Sequence, residues 1–175
     1  GDLAMAQRDR LSPRYQFMME SWNALNHGNA SGVEVLLEAV QKYPDDPEAW
    51  FLLAETYIHV GDGTYSDSDA IVDALDRAVE LDPGLTAAWA GWGRALLRSG
   101  DLAGVADKLS AALERDETYT PALVDLADCR AREGRTDEAW ALYEQARELN
   151  PRDPELLYGM GRFLRDKGDV ETAAA

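Results

Sequence analysis

The sequence contains a single cysteine, Cys129, and only two histidines, His27 and His59, among its 175 residues. One cysteine excludes an internal disulfide framework and a thiolate metal site. The histidines stand in no zinc-binding spacing, and the chain has no P-loop, no G-x-S-x-G and no complete G-x-G-x-x-G motif. We therefore predict that the chain is not an enzyme, and we expect no catalytic residue, no cofactor and no metal site.

Basic residues and long apolar runs are also scarce. The chain has 33 acidic against 17 basic residues, a formal net charge of −16. Phosphate backbones and anionic membranes are bound through basic patches, so we expect no nucleic-acid partner. No apolar run approaches the roughly 18 residues of a membrane-spanning helix, so we expect no membrane insertion. We expect no secretory leader before the fold. We expect a soluble chain whose compartment stays open, with the cytoplasm favoured.

What the chain does contain is a pair of amphipathic helices that recurs along it. Between residues 120 and 151, apolar residues fall on one helix face twice in succession. Gly134 separates the two helices, since glycine adopts positive φ without a Cβ penalty. We expect Thr136 to cap the second helix, and Pro151 ends the unit because proline cannot continue a helix.

This unit repeats at a nearly fixed spacing. The glycines that end the first helices are separated by 39, 34 and 34 residues, and the small residues inside the second helices show the same separations. The two sets are Gly61, Gly100, Gly134 and Gly168, and Ala39, Ala78, Ala112 and Ala146. A period of about 34 residues in helix–turn–helix units predicts a row of stacked helix pairs.

The first helices carry a recurring pattern of large and small residues. It is Trp50, Leu53, Ala54 and Tyr57 in one unit and Trp89, Trp92, Gly93 and Leu96 in the next. In this period and pattern, the chain resembles the tetratricopeptide-repeat family over about residues 14–175. The resemblance implies an all-α fold, namely a right-handed α-solenoid of stacked antiparallel helix pairs, the tetratricopeptide-repeat superhelix.

Two features of the pattern have a packing explanation. The tryptophans are expected to fill the space between successive units. One position of each first helix is expected to be small because the two helices of a unit cross there, and a larger side chain would force them apart. These small residues are Ala54, Gly93, Ala127 and Gly161.

The period also sets the expected domain boundaries. Residues 1–12 are predicted to be a helix stub or a disordered N-terminal end, and residues 13–175 the repeat array. Within the array we expect a divergent repeat at 13–46 with Trp22 as its core anchor, repeats at 47–85, 86–119 and 120–153, and a partial repeat or capping helix at 154–175. For the last segment we favour a natural protein that continues over a chain that ends in a cap.

The repeat at 47–85 contains five extra residues in its turn, GDGTYSDSDA. Asp62, Asp67 and Asp69 offer oxygen ligands to Ca²⁺, but their spacing does not match a calcium-binding loop that ends in a glutamate. We favour a lengthened, solvated turn. With the stretches RDRLSPRYQ and YPDDPEAWFLLAE, this turn also resembles repeat regions attached to bacterial signalling proteins.

The family resemblance further implies a concave groove, lined by the first helix of each repeat, that binds a partner protein or peptide. The positions of this face that we predict to contact a partner are Phe51, Glu55, His59, Gly91, Arg94, Arg98, Asp125, Asp128, Arg132, Tyr158, Arg162 and Arg165. Five of them are arginines, which favours an acidic peptide or a chain terminus, because guanidinium groups bind carboxylates in a bidentate manner. Gly91 and Gly159 are expected to leave room for a ligand backbone.

Two other interpretations stay open. The arginines of this face pair within the chain, each exposed pair contributing only about 0–1 kcal/mol. The neighbouring carboxylates are Glu55, Asp125, Asp128 and Asp166. Alternatively, the chain is a structural spacer or a self-association module, which forms a homo-oligomer through terminal helix faces around Phe163 and Leu164. Any activity then belongs to another domain of the full-length protein.

Overall fold

The computed structural model describes residues 12–26, 31–59 and 68–168, and every regular element within these ranges is an α-helix. The helices are α1 (Pro13–Asn26), α2 (Ser31–Lys42), α3 (Pro47–His59), α4 (Ser68–Leu81), α5 (Thr86–Ser99), α6 (Leu102–Arg115), α7 (Thr120–Arg132), α8 (Thr136–Leu149) and α9 (Pro154–Lys167). The predicted all-α fold of paired helices is confirmed.

Some of the predictions concern residues that lie outside the described ranges. They concern the N-terminal end, the calcium alternative in the turn at 60–67, and the chain after residue 168. The side chains of Trp22, His27 and His59 also lie outside the described part. These predictions stay predictions.

The chain divides into two compact units, residues 1–91 and residues 92–175. In the first unit, α1 packs on α2, both contact α3, and α3 packs on α4. In the second unit, α6 packs on α7, α7 packs on α8, and α9 lies against both α7 and α8. Each unit therefore places first helices beside first helices, as expected for stacked helix pairs.

The turn chemistry agrees with the repeat spacing. Gly100, Gly134 and Gly168 have φ of 86°, 78° and 84°, values that L-residues with a Cβ rarely adopt. The prediction that these glycines end helices is therefore confirmed. The prediction for Thr136 is wrong, because it is the first residue of α8 while Arg135 holds the N-cap position without a side-chain hydrogen bond.

Small and large side chains alternate in the core of the second unit. The cluster consists of Leu123, Val124, Ala127, Ala139, Tyr143, Ala146, Leu156, Met160 and Phe163. The ring of Phe163 on α9 meets two aromatic rings of α8. It stacks on Trp140 at a centroid distance of 6.0 Å, and Tyr143 meets it edge-on at 5.7 Å. This layer fixes α9 against the preceding helix pair and so sets the position of its polar face.

The packing explanation for small crossing residues holds at three of the four positions. Ala54 and Ala127 are fully buried. A Cβ added at Gly93 would lie 2.5 Å from Cγ and Cδ2 of Leu109 on α6. At Gly161, in contrast, no atom of the described residues lies within 4 Å of an added Cβ. Gly161 itself therefore has no described side chain packed on it.

The two repeated tryptophans do more than fill space. Both are half-buried, and each indole Nε1–H donates to the backbone carbonyl of the proline in the preceding turn. The Trp50 bond to Pro44 is 2.9 Å long, and the Trp89 bond to Pro83 is 3.0 Å long. Each tryptophan thereby ties its first helix to the turn before it. Large size at these positions was predictable, whereas the hydrogen bond was not.

Candidate partner-binding face

In the second unit, helices α5, α7 and α9 present polar side chains to one another on a common surface. We call this surface the first-helix face and define it by Arg94, Asp125, Asp128, Tyr158 and Arg162. Residues 94, 128 and 162 are equivalent in the 34-residue period and carry alternating charge, Arg, Asp and Arg. The surface therefore places opposite charges on neighbouring first helices.

The first pair on this face joins α5 to α7. Arg94 Nε lies 3.0 Å from Asp125 Oδ2, and Arg94 Nη2 lies 3.7 Å from Glu155 on α9. The Asp125 side chain is 13% exposed. Burial raises the pKa of Asp125 to about 6, and Arg94 opposes only part of that rise. The pair is therefore a semi-buried structural contact, and Arg94 reaches a ligand only in competition with Asp125.

The second pair joins α7 to α9 and includes a buried tyrosine of α8. Tyr143 Oη–H donates to one oxygen of Asp128, and Arg162 donates to the other. The hydrogen bond with Asp128 raises the pKa of Arg162. The pKa of Tyr143 is also raised, first by burial of its hydroxyl and then by its hydrogen bond with Asp128. Asp128 thus holds three helices together through one carboxylate.

The other arginines of the predicted set have different surroundings. Arg132 Nη1 donates to the carbonyl of Leu97, 2.6 Å away, at the C-terminal end of α5. A cation at this position also interacts favourably with the helix dipole. Arg98 is exposed on the last turn of α5. Arg165 is 66% exposed, and Asp166 lies 3.5 Å from it. Exposed guanidinium groups therefore occur near the ends of the first helices.

One aromatic side chain of the face is open to solvent. Tyr158 on α9 is 71% exposed. The Arg162 guanidinium carbon lies 5.9 Å from the centroid of its ring. An exposed aromatic ring next to a guanidinium group provides both an apolar surface and a hydrogen-bond donor to a peptide.

A cleft of about 400 Å³ opens where α7, α8 and α9 meet. Among the described residues its lining includes three cationic side chains, those of Arg132, Arg162 and Lys167, and two acidic ones, those of Asp128 and Asp166. The aromatic side chains of Tyr143 and Phe163 also line the cleft. The cleft therefore has a cationic surplus in a chain that is strongly acidic as a whole.

The two glycines expected to admit a ligand backbone have another role. A Cβ at Gly159 would lie 3.1 Å from Tyr143 Cε1, and a Cβ at Gly91 would lie 3.1 Å from Glu55 Oε1 and 3.3 Å from Phe51 Cε2. Both glycines are buried. The space above them is taken by side chains of the chain itself. Glycine here permits helix packing rather than a ligand approach.

The predicted set therefore falls into two groups. Phe51, Glu55 and Gly91 adjoin one another in the first unit. The remaining described residues belong to the second unit, where Arg94 and Arg162 pair with Asp125 and Asp128. The role of Tyr143 as the partner of Asp128 was missed, because helical spacing marked it only as a core residue.

Because the pKa of Asp125 is raised in the folded chain, we predict that the free energy of unfolding depends on pH. Because its pKa is higher in the folded chain, at about 6, than in an unfolded chain, the folded state binds more protons between pH 4 and pH 6. Its contribution to the free energy of unfolding therefore falls as pH rises through this window, by on the order of 1–2 kcal/mol. Asp128 and Glu155 strengthen the effect and Arg94 weakens it.

The measurement compares urea unfolding of wild type and Asp125→Asn at pH 4.5 and pH 7. We expect the variant to gain stability relative to wild type at pH 7 and to lose that advantage at pH 4.5. Carboxylates that do not interact with Asp125 titrate equally in both proteins and cancel in the difference. An identical difference at the two pH values would contradict this assignment.

Helix hairpins that recur every 34 residues, cross at small residues and stack first helix on first helix define an all-α repeat scaffold. Two family models of the tetratricopeptide repeat match the sequence, at residues 35–65 and 120–163. These matches confirm that the chain carries tetratricopeptide repeats, as its spacing predicted. Proteins of this family generally act as protein–protein interaction scaffolds. No curated protein sequence matches the chain.

Solved structures show the same fold. TTC0263, a thermophilic tetratricopeptide-repeat protein of Thermus thermophilus, superposes with a TM-score of 0.81 at 20% identity, covering 91% of this chain and 86% of its own. MamA 41-end from Desulfovibrio magneticus RS-1 has a TM-score of 0.69 at 19% identity, covering 92% and 89%. The APC/C hetero-tetramer Cut9–Hcn1 contains a chain with a TM-score of 0.76 at 16% identity, covering 92% of this chain and 29% of its own. At these identities the likeness concerns the fold alone. None of the described helices is long and apolar enough to span a membrane.

Proposed function

We propose that the chain is a protein-interaction scaffold that holds an acidic peptide segment across the first-helix face of its second unit. The observation that carries the proposal is a local excess of cations in an acidic chain. Among the described residues, six cationic side chains lie on or beside this face and its adjoining cleft, against four carboxylates. The cations are Arg94, Arg98, Arg132, Arg162, Arg165 and Lys167, and the carboxylates are Asp125, Asp128, Glu155 and Asp166. The rest of the sequence brings the net charge to −16. Such a field attracts carboxylates to one surface and repels them elsewhere.

The arginines near this face fall into two groups, those already paired with a carboxylate and those exposed to solvent. Arg94 and Arg162 are engaged by Asp125 and Asp128, so they shape the face and present only their remaining N–H groups. Arg98 and Arg165 are exposed, and Asp166, which lies 3.5 Å from Arg165, is itself exposed. Exposed pairs of this kind contribute little and exchange readily. These two side chains are therefore the principal ligand contacts.

The aromatic surface of Tyr158 complements these charges. Its ring is open to solvent on α9, the same helix that carries Arg165. An apolar side chain of the ligand packs on this ring while neighbouring carboxylates bind guanidinium groups. A peptide that alternates acidic and apolar residues fits this arrangement, because its two kinds of side chain meet the two kinds of surface.

The test uses a short fluorescein-labelled peptide of alternating Glu and Leu residues, and binding is measured by fluorescence anisotropy. We expect the double variant Arg98→Glu/Arg165→Glu to bind at least about tenfold more weakly, since charge-assisted hydrogen bonds contribute roughly 1.5–3 kcal/mol each. Raising the salt concentration is expected to weaken wild-type binding and to leave the variant nearly unchanged.

The matched control is Arg147→Glu/Arg152→Glu. It changes the net charge by the same amount at two exposed arginines of α8 and of the turn after it. We expect this control to bind the peptide within about twofold of wild type, because screening limits charge effects to roughly 8–10 Å. Equal losses in both double variants would show a nonspecific charge effect and contradict the proposal. So would equal binding of a peptide with Lys in place of Glu.

A further inference from the structure

The charged cluster on the first-helix face of the second unit contains more carboxylates than guanidinium groups. Asp125 and Asp128 on α7 and Glu155 on α9 meet there with Arg94 and Arg162. Arg162 pairs with Asp128. Arg94 Nε lies 3.0 Å from Asp125 Oδ2, and Arg94 Nη2 lies 3.7 Å from Glu155 Oε2. Two carboxylates therefore share the Arg94 guanidinium group, and the cluster carries one negative charge in excess.

Asp125 is the carboxylate of this cluster that has the fewest donors for its burial. Asp125 and Asp128 are both 13% exposed. From the described residues Asp128 accepts two hydrogen bonds, one on each oxygen, whereas Asp125 accepts one, from Arg94 Nε. Glu155 is 66% exposed and so keeps most of its hydration. Burial of a charged group with a single donor disfavours the ionised form, so an added proton goes to Asp125.

The groups around Asp125 support this assignment. Its pKa in the folded chain is about 6, because burial raises it, Arg94 opposes part of that rise, and the two other carboxylates of the cluster raise it again. Helices α6 and α8 also pack on α7. Tyr143 of α8 and Cys129, whose thiol lies 3.9 Å from a carbonyl of α6, have pKa values raised by burial, so both stay neutral in mildly acidic solution. Asp125 is thus the group of this cluster that titrates closest to neutral pH.

A ligand bound across this face brings a further carboxylate next to Asp125. The contacts proposed above lie on the two outer helices, with Arg98 on α5 and Tyr158 and Arg165 on α9. Helix α7 lies between them, because it pairs with α5 through one aspartate and with α9 through another. A peptide that reaches from Arg98 to Tyr158 therefore passes over α7. There a peptide carboxylate competes for Arg94 and repels the ionised Asp125.

A proton on Asp125 removes this conflict. The neutral carboxyl does not repel a peptide carboxylate, and its hydrogen bond with Arg94 loses the attraction between opposite charges. The ligand then competes better for the Arg94 donors, and its own carboxylate replaces the charge that the proton removed. Binding of an anion and binding of a proton therefore favour each other, and this coupling acts equally in both directions.

We propose that the first-helix face takes up a proton at Asp125 when it binds an acidic peptide, and so holds the peptide more tightly in mildly acidic than in neutral solution. The inference rests on the proposed function, because it concerns the regulation of the same site. Since the bound state holds more protons than the free state, the affinity falls as pH rises through the region around pH 6, where Asp125 titrates.

The test repeats the anisotropy titration with the alternating Glu and Leu peptide at pH 5.5 and pH 7.5, at one ionic strength. We expect wild type to bind at least about fivefold more tightly at pH 5.5, the low end of the usual coupling between two sites. Protonation of the peptide's own glutamates acts in the opposite direction, because it removes negative charge from the ligand. Asp125→Asn is expected to bind at pH 7.5 about as tightly as wild type does at pH 5.5, and to lose most of the pH dependence.

Two comparisons isolate the contribution of Asp125. Asp107→Asn makes the same change at an exposed aspartate of α6, and we expect it to keep the pH dependence of wild type. Histidine side chains titrate in the same region of pH, but both histidines of the chain are present in every variant, so their contribution is subtracted. Far-UV circular dichroism at both pH values shows that each variant is folded.

Calorimetric titration at pH 6 in two buffers of different ionisation enthalpy measures the protons taken up per bound peptide. We expect net uptake by wild type and a smaller uptake by Asp125→Asn. Equal affinity of wild type at the two pH values, or the same pH dependence in wild type and Asp125→Asn, would overturn this inference and leave the proposed function intact. No binding of the peptide at either pH would overturn the proposed function, and this inference with it.

Discussion

Replacing Asp128 by alanine is expected to lower the free energy of unfolding by about 2–4 kcal/mol. The Asp128 carboxylate accepts from the buried Tyr143 hydroxyl with one oxygen and from Arg162 with the other. Without it, the hydroxyl loses its partner in a core that excludes water, and Arg162 keeps a charge that is only 31% exposed. Both effects disfavour the folded state.

Two milder variants separate these effects. Asp128→Asn keeps an oxygen acceptor for Tyr143 and loses the ion pair, so we expect a smaller loss than for alanine. Tyr143→Phe removes one hydrogen bond and leaves the ion pair, with an expected loss of about 1–2 kcal/mol. Urea unfolding followed by circular dichroism measures all three. An alanine variant as stable as wild type would show that the three groups are not coupled.

The second large effect is a contrast between two equivalent glycines. Gly93→Ala is expected to destabilise the chain by roughly 1–3 kcal/mol, because its Cβ would lie 2.5 Å from the fully buried side chain of Leu109, which would have to shift within the core. Gly161→Ala is expected to stabilise the chain by up to about 1 kcal/mol, because alanine favours the helix and the space is open among the described residues.

Thermal melting of the two variants gives this contrast directly, since the substitution is the same at both sites. Opposite signs of the change in melting temperature are expected. A loss of stability at residue 161 equal to that at residue 93 would show that a helix packs on Gly161 as α6 packs on Gly93.

The arrangement of charges on the first-helix face explains why Arg94 and Arg162 are poor targets for a binding test. A glutamate at either position would face Asp125 or Asp128 across a semi-buried contact and so destabilise the fold itself. A loss of binding would then report unfolding. Arg98 and Arg165 avoid this ambiguity because they are exposed.

Much of the architecture was readable from the residues alone. Apolar periodicity, the glycines that end helices and the small crossing positions are local properties, each set by a few neighbouring residues and by the conformations available to them. They repeat every 34 residues, so that each copy supports the interpretation of the others. The failure at Thr136 shows the limit of local signals, because a residue one position away takes the cap site.

The pairing of polar groups was decided only by packing between helices. Long arginine side chains reach several carboxylates, and spacing does not say which one they meet. The choice of Asp125 for Arg94, and of Asp128 for both Tyr143 and Arg162, depends on how α5, α7, α8 and α9 settle against one another. The same packing places side chains over Gly91 and Gly159 and leaves Gly161 open among the described residues. The helices are determined by local sequence, whereas the contacts between side chains of different helices are determined only when the helices pack through their apolar faces.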